Sequence, residues 1–558
     1  MRRRIVAPLL VLSATVLLAA PMVSQAAYGP PAEGTTVAVA TDHAEATRAA
    51  LDTLQHGGNA FDAAISAALA LGVVSPAASG IGGGGFALVY VARDHKVVAL
   101  DFREVAPRAS SVDALVARKS RGVAVGVPGE PAGLEWLSTH GAKKTLAEDA
   151  APAVRLARDG FLVGRYFATA LVTFRAVYEP TPVGAELLPG GSPLAFGTRW
   201  QRPALARTLE RFGAEGKTPF YTGDLGAKIV ASVKAENGPM TAEDLSAYVV
   251  RERAPLTRTF GKRTVSTMPA PSAGGLMELE TLAMWGADAS SPLRAMGFGS
   301  SAYLHTLAET MRGAVADRAR ISGDPDVETQ VTASYANALD DRQLAARRAR
   351  IAPDKTHAGA EFKTREDGTS HVIITDPEGN VVSLTTTINS PFGARFVAGD
   401  TGIWMNDQLF DFALPEDVAG YGVVGLGPNV PHGGARPVSS MAPTIVLEDG
   451  MPTLALGGSG GRRIATAVTQ AAIARLVFGL DPAVCVSSPR IFTNGSDVFV
   501  DPEISEDVRA GLRARGETVK DETILGSAVQ MMAWDRSGTK VRILAASDPR
   551  KMGFSAGY

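Results

Sequence analysis

Apolar and polar positions change rhythm several times along the chain, and each change marks an element. Val37 to Ala40 is a short β-rich run. Ala44 to Leu54 and Ala60 to Leu71 are Ala-rich helical stretches, with His56-Gly57-Gly58-Asn59 as the stop of one and the start of the next. Helices this rich in Ala suit close packing on a sheet. Phe86 to Val91 and Val97 to Asp101 read as strands, and Thr145 to Phe174 is mostly helical. Pro203 to Phe212 and Leu225 to Glu236 are amphipathic helices. Phe260 to Thr267 is a strand, Met277 to Met284 a helix, Ala302 to Arg318 a long helix, and Ala336 to Ile351 a basic helical stretch. Pro353 to Gly368 is polar and charged, the best linker in the chain. Immediately after it the rhythm becomes that of a β-hairpin. His371 to Thr375 is one strand, Asp376-Pro377-Glu378-Gly379-Asn380 the turn, and Val381 to Thr387 the return strand. Thr444 to Leu447 and Thr453 to Leu456 are further strands, and Ile464 to Phe478 is a helix.

The chain has 558 residues and a net charge of −2. That length supports a large core and sets a prior of two to four domains, although layered helices and sheets can form one unit. The balanced charge offers nothing to a nucleic acid or an acidic partner. The N-terminus reads as an address. Arg2, Arg3 and Arg4 precede an apolar run from Ile5 to about Val23, followed by Ser24-Gln25-Ala26, the three parts of an export signal. A retained anchor is the alternative, but the run is short and Pro8 and Pro21 interrupt it. Residues 1–26 are therefore read as a signal peptide, and the protein as exported, periplasmic or secreted. No second apolar run is long enough to cross a membrane. The single cysteine, Cys485, precludes an internal disulfide and sits in a plain apolar context, so it reads as packing. The eight histidines show no metal spacing.

Two glycine loops carry candidate chemistry. Gly80-Ile81-Gly82-Gly83-Gly84-Gly85-Phe86 matches G-x-G-x-x-G, with Asp101 about where a ribose-binding acid would stand. A dinucleotide site needs strand, loop, helix, whereas here a helix precedes the glycines and a strand follows. Close backbone approach is the better reading. Gly457-Gly458-Ser459-Gly460-Gly461-Arg462-Arg463 does lie between strand and helix, without the Gly-Lys-Ser/Thr of a phosphate loop. Its N–H groups at a helix N-terminus suit a developing oxyanion. Arg103 is either a surface partner of Glu104 or another acid, or an anion binder beside the first glycine loop. Thr369, where the linker enters the hairpin, reads by itself as an ordinary β-branched strand residue.

The joint order of several motifs resembles the γ-glutamyltranspeptidase (γ-glutamyltransferase, glutathione hydrolase) family, bacterial exported type, over nearly the whole mature length. The matching stretches are His56-Gly57-Gly58-Asn59-Ala60 with Asp62-Ala63-Ala64, Gly82 to Phe86, Asp101-Phe102-Arg103-Glu104, Gly126-Val127-Pro128-Gly129, Thr369-Ser370-His371, Pro437-Val438-Ser439-Ser440-Met441, Gly460-Gly461, Ser547-Asp548-Pro549-Arg550 and Ala556-Gly557-Tyr558. The resemblance implies an α+β fold, the αββα sandwich of N-terminal nucleophile hydrolases, built from both products of a self-cleaved precursor. The cut would fall between Gly368 and Thr369, leaving a large subunit, 27–368, ending in the charged linker at about 353–368, and a small catalytic subunit, 369–558. Thr369 would be the nucleophile and its freed α-amine, with an ordinary pKa near 7.7–8.0, the base. His371 is then structural. By resemblance, Thr387 hydrogen-bonds the nucleophile and Gly460 and Gly461 form the oxyanion hole. Arg103, Ser439 and Ser440 take the α-carboxylate, and Asn389, Gln408 and Asp411 the α-amine. Tyr421 matches the gating residue of a lid over the pocket, in the loop from Pro415 to Gly427. The implied substrates are glutathione and related γ-glutamyl compounds, with water, an amino acid or a dipeptide as acceptor and no metal or organic cofactor.

Three positions depart from the family pattern. Gly368 precedes the cut where a larger polar residue is common, Ile373 replaces a hydroxyl residue, and Gly458-Ser459 stands where Ser-Pro is usual. Two rivals remain. A related acylase for glutaryl or cephalosporin side chains would have no use for Asp411 and Gln408. An uncleaved, non-catalytic periplasmic binding protein would never free the Thr369 amine.

Overall fold

Alternation along the hairpin decides the architecture. Ser370–Thr375 pairs antiparallel with Val381–Thr387, His371 opposite Thr385 and Ile373 opposite Ser383. Both strands are buried along their whole length, so both faces must be covered. Val372, Ile374, Val382 and Leu384 pack with the Ala-rich helices on one face. Ile373 and Val381 pack on the other face with Ile445, Leu454, Leu456 and Met531 of a second sheet. The result is helix, sheet, sheet, helix. This computed structural model describes residues 29–118, 120–357, 359, 368–418, 425–521 and 526–558, so the proposed signal segment and Tyr421 lie outside the described residues.

Among the described residues, each of these two sheets has seven strands. In the first the order is Phe554–Gly557, Ala38–Thr41, Ser370–Thr375, Val381–Thr387, Gly84–Val91, Lys96–Phe102 and Arg251–Arg253. In the second it is Ala32–Gly34, Arg542–Ser547, Ala528–Asp535, Met451–Ser459, Thr444–Glu448, Arg263–Thr267 and Leu256–Phe260. Segments from before and after Thr369 are thus interleaved in both sheets. Ala44–Gln55 and Ala60–Val74 cover the first sheet. Gly274–Trp285, Ser301–Ile321 and Ile464–Leu476 cover the second.

Helix Ala60–Val74 is buried at every residue and starts at a capping box in which Asn59 and Asp62 satisfy each other's backbone N–H groups. Its Ile65, Leu69, Leu71 and Val73 each contribute about 1.5–3 kcal/mol of burial. The first glycine loop follows, and strand formation begins inside it at Gly84. A Cβ at Gly83 would lie 1.9 Å from the Thr387 carbonyl oxygen, and one at Gly85 2.0 Å from that of Thr385. The glycines therefore permit close backbone approach, as their context predicts.

Three elements differ from the sequence reading. The strand read over Phe260 to Thr267 is the turn and second strand of a hairpin, Leu256–Phe260 paired with Arg263–Thr267, because the chain reverses at Gly261 with φ +59°. The basic stretch near 336–351 is two helices, Gln330–Ala338 and Asp341–Arg348, because the Asp340 carboxylate accepts from the N–H groups of Arg342 and Gln343 and starts a new helix. The second glycine loop is shorter than its composition implies, since strand Met451–Ser459 runs through Gly457 and Gly458. The His371 ring explains the first of these, because a Cβ at Gly457 would come within 2.2 Å of its Cε1. That ring is wedged between the sheets, with Nδ1 bonded to Thr385 Oγ1 at 2.8 Å and Nε2 to Ser383 Oγ at 3.2 Å. Burial lowers its pKa to about 3, so it stays neutral and structural. Cys485 is buried, and desolvation pushes its thiol up to about 12, consistent with packing.

Candidate active site

Thr369 lies at the open end of the hairpin, 3% exposed, with φ +150°. Its Oγ1 donates to Thr387 Oγ1 at 3.4 Å, across the two strands. Thr387 Oγ1 also accepts from the Asn389 N–H at 2.9 Å, which fixes the hydroxyl where the return strand ends. Asn389 has φ +74° and turns the chain out of the sheet. Its carbonyl accepts from Gly368 N–H at 2.7 Å, so the residue before Thr369 is tied to the residue after the hairpin. Its side-chain amide donates to the Asp407 carbonyl at 3.2 Å.

The glycine pair reaches the site from the second sheet. Gly460 and Gly461 follow strand Met451–Ser459 directly, with φ +120° and +59°, values that favour glycine. They are tied to Thr369 through Lys551, whose Nζ donates to Ser459 Oγ at 2.8 Å and to the Thr369 carbonyl at 3.1 Å. Lys551 is 3% exposed, and neither pattern nor resemblance had singled it out. The one sequence signal for it is its place next to Ser547-Asp548-Pro549-Arg550.

The third part is a charged floor. Arg103 is buried and donates through Nη2 to Asp411 Oδ2 at 2.6 Å and to the Val438 carbonyl at 3.1 Å, and through Nε to the Pro437 carbonyl at 3.2 Å. Those carbonyls immediately precede Ser439 and Ser440, both buried. Ser439 Oγ accepts from the Met441 N–H at 3.1 Å. Gln408 Nε2 donates to the same Asp411 oxygen, from the short helical turn Gln408–Asp411. The groups assigned to a carboxylate and those assigned to an amine are thus not separate. Arg103 and Asp411 hold each other, because a buried charge without a partner is costly.

Two more acids stand behind this floor. Glu104 Oε2 lies 3.9 Å from Arg103 Nη1, and neither oxygen of Glu104 meets a hydrogen-bond donor among the described residues. Glu130 accepts from Thr386 Oγ1. Burial raises both carboxyls to about 8.

The αββα sandwich is the fold of the N-terminal nucleophile hydrolases, and Thr369 stands at the mouth of its central hairpin. Comparison with known proteins gives the family. The model for gamma-glutamyltranspeptidase matches residues 46–558. A protein named glutathione hydrolase 2 from Arabidopsis thaliana is 35% identical, covering 93% of each chain. A glutathione hydrolase proenzyme from Escherichia coli (strain K12) is 32% identical over 100% of this chain and 99% of its own. Among solved structures, a cephalosporin acylase from Bacillus halodurans superposes with a TM-score of 0.83 at 25% identity, over 97% of this chain and 99% of that one. A gamma-glutamyltranspeptidase chain from Helicobacter pylori reaches 0.52 at 31% identity, over 56% of this chain and 91% of that one. The chain belongs to the γ-glutamyltranspeptidase family, and it is an enzyme of that kind.

Proposed function

We propose that the chain cuts itself between Gly368 and Thr369 and then hydrolyses or transfers the γ-glutamyl group of glutathione and related amides. The paired Arg103 and Asp411 carry this reading. A γ-glutamyl head presents an α-carboxylate and an α-ammonium side by side, and these match a guanidinium and a carboxylate already in contact. Binding exchanges partners: the carboxylate takes Arg103, with Ser439 and Ser440 donating, and the ammonium takes Asp411, Gln408 and Asn389. No charge is left without a partner in either state. A glutaryl head has only the carboxylate and would strand Asp411, which favours the γ-glutamyl reading over the acylase alternative.

In turnover, Thr369 Oγ attacks the γ-carbonyl carbon while its proton passes to the freed α-amine. The N–H groups of Gly460 and Gly461 stabilise the oxyanion, and Thr387 steadies the attacking hydroxyl. Collapse breaks the amide bond, and the amine of the leaving group takes the proton. Water, an amino acid or a dipeptide then attacks the threonine ester and carries the γ-glutamyl group away. On this reading residues 1–26 are an export signal, 27–368 the large subunit and 369–558 the small one, working in the periplasm or outside the cell.

The test is intact mass under denaturing conditions, followed by glutamate release from glutathione. Two chains meeting at Gly368 and Thr369, with glutamate released, support the reading. One uncut and inert chain favours the binding-protein alternative.

Gly460→Ala probes the oxyanion role. A Cβ there would lie 2.6 Å from Ser527 Cα, at a φ that L side chains avoid. The loop must shift, and kcat is expected to fall by about 10²-fold or more. Steady-state kinetics on the self-cut variant check this; a change in KM alone would reject the role.

A further inference from the structure

The buried ammonium of Lys551 is poorly explained by packing. It sits on a single 3₁₀ turn, Pro549–Lys551, just before the edge strand Phe554–Gly557. Its neighbours are the Thr369 carbonyl, the Ser459 hydroxyl and the face of Tyr166, 5.4 Å from Nζ to the ring centroid. Two neutral oxygens and a ring are modest compensation for a buried cation. Asp42 adds a charge nearby, but its own oxygens are engaged by the His371 N–H at 3.2 Å and Gln530 Nε2 at 2.6 Å. Burial raises the Asp42 pKa, and the charge of Lys551 pulls it back down.

We propose that Lys551 is an electrostatic positioning residue for the nucleophile: it holds the Thr369 carbonyl and, once the chain is cut, keeps the α-amine of the same residue neutral. The inference rests on the self-cleavage proposed above. The α-nitrogen and the carbonyl that Lys551 holds belong to one residue, so cation and amine are close neighbours. A nearby cation disfavours the ammonium form and lowers the amine pKa below its ordinary 7.7–8.0. Only the neutral amine can accept the Oγ proton, so the effect raises the working fraction at neutral pH.

Other titratable groups surround Thr369. His371 is neutral in its wedge between the sheets, and Asp42 opposes Lys551. Asp407, also raised by burial, accepts from the Ser390 N–H and lies 4.0 Å from Arg395. On the substrate side, Arg103 and Asp411 hold each other, and Glu104 and Glu130 are raised to about 8. None of these touches the Thr369 carbonyl among the described residues, whereas Lys551 does.

The experiment compares wild type, Lys551→Met and Lys551→Arg on self-cut protein. The acid limb of kcat/KM for a γ-glutamyl amide is expected to move up by about one pH unit in Lys551→Met, a tenfold loss on the acid side. In Lys551→Arg it should stay near the wild-type position. A second readout needs no turnover: carbamylation of the Thr369 amine by cyanate against pH, read by mass of the N-terminal peptide. Its midpoint should rise in Lys551→Met by the same amount. If Lys551→Met is not cut, Lys551→Gln takes its place. A wild-type midpoint in the neutral variant, an equal shift in Lys551→Arg, or failure of both neutral variants to be cut overturns the proposal. Absence of a Thr369 N-terminus in the wild type would instead defeat the self-cleavage reading.

Discussion

Thr369→Ala is expected to remain one uncut chain and to turn over no γ-glutamyl amide above background. Both losses have one cause. On the proposed mechanism the same Oγ would attack the Gly368 carbonyl in the cut and the substrate carbonyl in turnover, and an alanine offers no nucleophile to either. Knocking out a nucleophile typically costs about 10⁴–10⁶-fold in kcat. The fold should survive, since the lost hydroxyl makes one long bond, at 3.4 Å, to Thr387. Denaturing mass spectrometry and glutamate release give the two readouts, with the thermal midpoint as a check on folding. A variant that is processed and active would dismantle the mechanism. One that is processed but inactive would mean that another group makes the cut.

Asp411→Asn separates the γ-glutamyl reading from its nearest rival. The substitution keeps shape and an acceptor for Gln408, and removes the negative charge that an α-ammonium requires. For a γ-glutamyl amide kcat/KM is expected to fall by about 10²-fold or more, equivalent to about 2.7 kcal/mol of transition-state stabilisation. For the matched glutaryl amide, which has no α-amine, the change should stay within a few-fold. Arg103 loses its charged partner in the empty site, and breaking a buried pair of this kind costs up to about 3–5 kcal/mol. The unliganded variant should therefore melt earlier, and a γ-glutamyl ligand should restore less of that loss than a glutaryl ligand does. Equal losses on both amides would remove Asp411 from amine recognition.

The hairpin, the Ala-rich helices and the glycine approach were legible because local rhythm and turn chemistry specify them. The rest needed contacts between distant parts of the chain. Arg103 and Asp411 are 308 positions apart, and nothing in either local pattern says that they touch. Gly457 reads as a loop residue until the His371 ring is seen above it. Lys551 reads as one more charge near the C-terminus, because burial is a property of the assembled layers. Asp340 was visible as a residue, but its capping role depends on where the preceding helix stops.

The interleaving of the two sheets has a consequence for the protein's lifetime. Each sheet draws strands from both sides of the Gly368–Thr369 bond, so neither product would keep a complete sheet of its own. The uncut chain folds as one molecule, in a process independent of concentration. After the proposed cut, the same structure would be held by a barrier and not by connectivity. Once opened, it must be rebuilt by two molecules that have to find each other, at a rate that falls with dilution. A mature enzyme cut at that bond would be a one-way product: durable while closed, and lost when it opens.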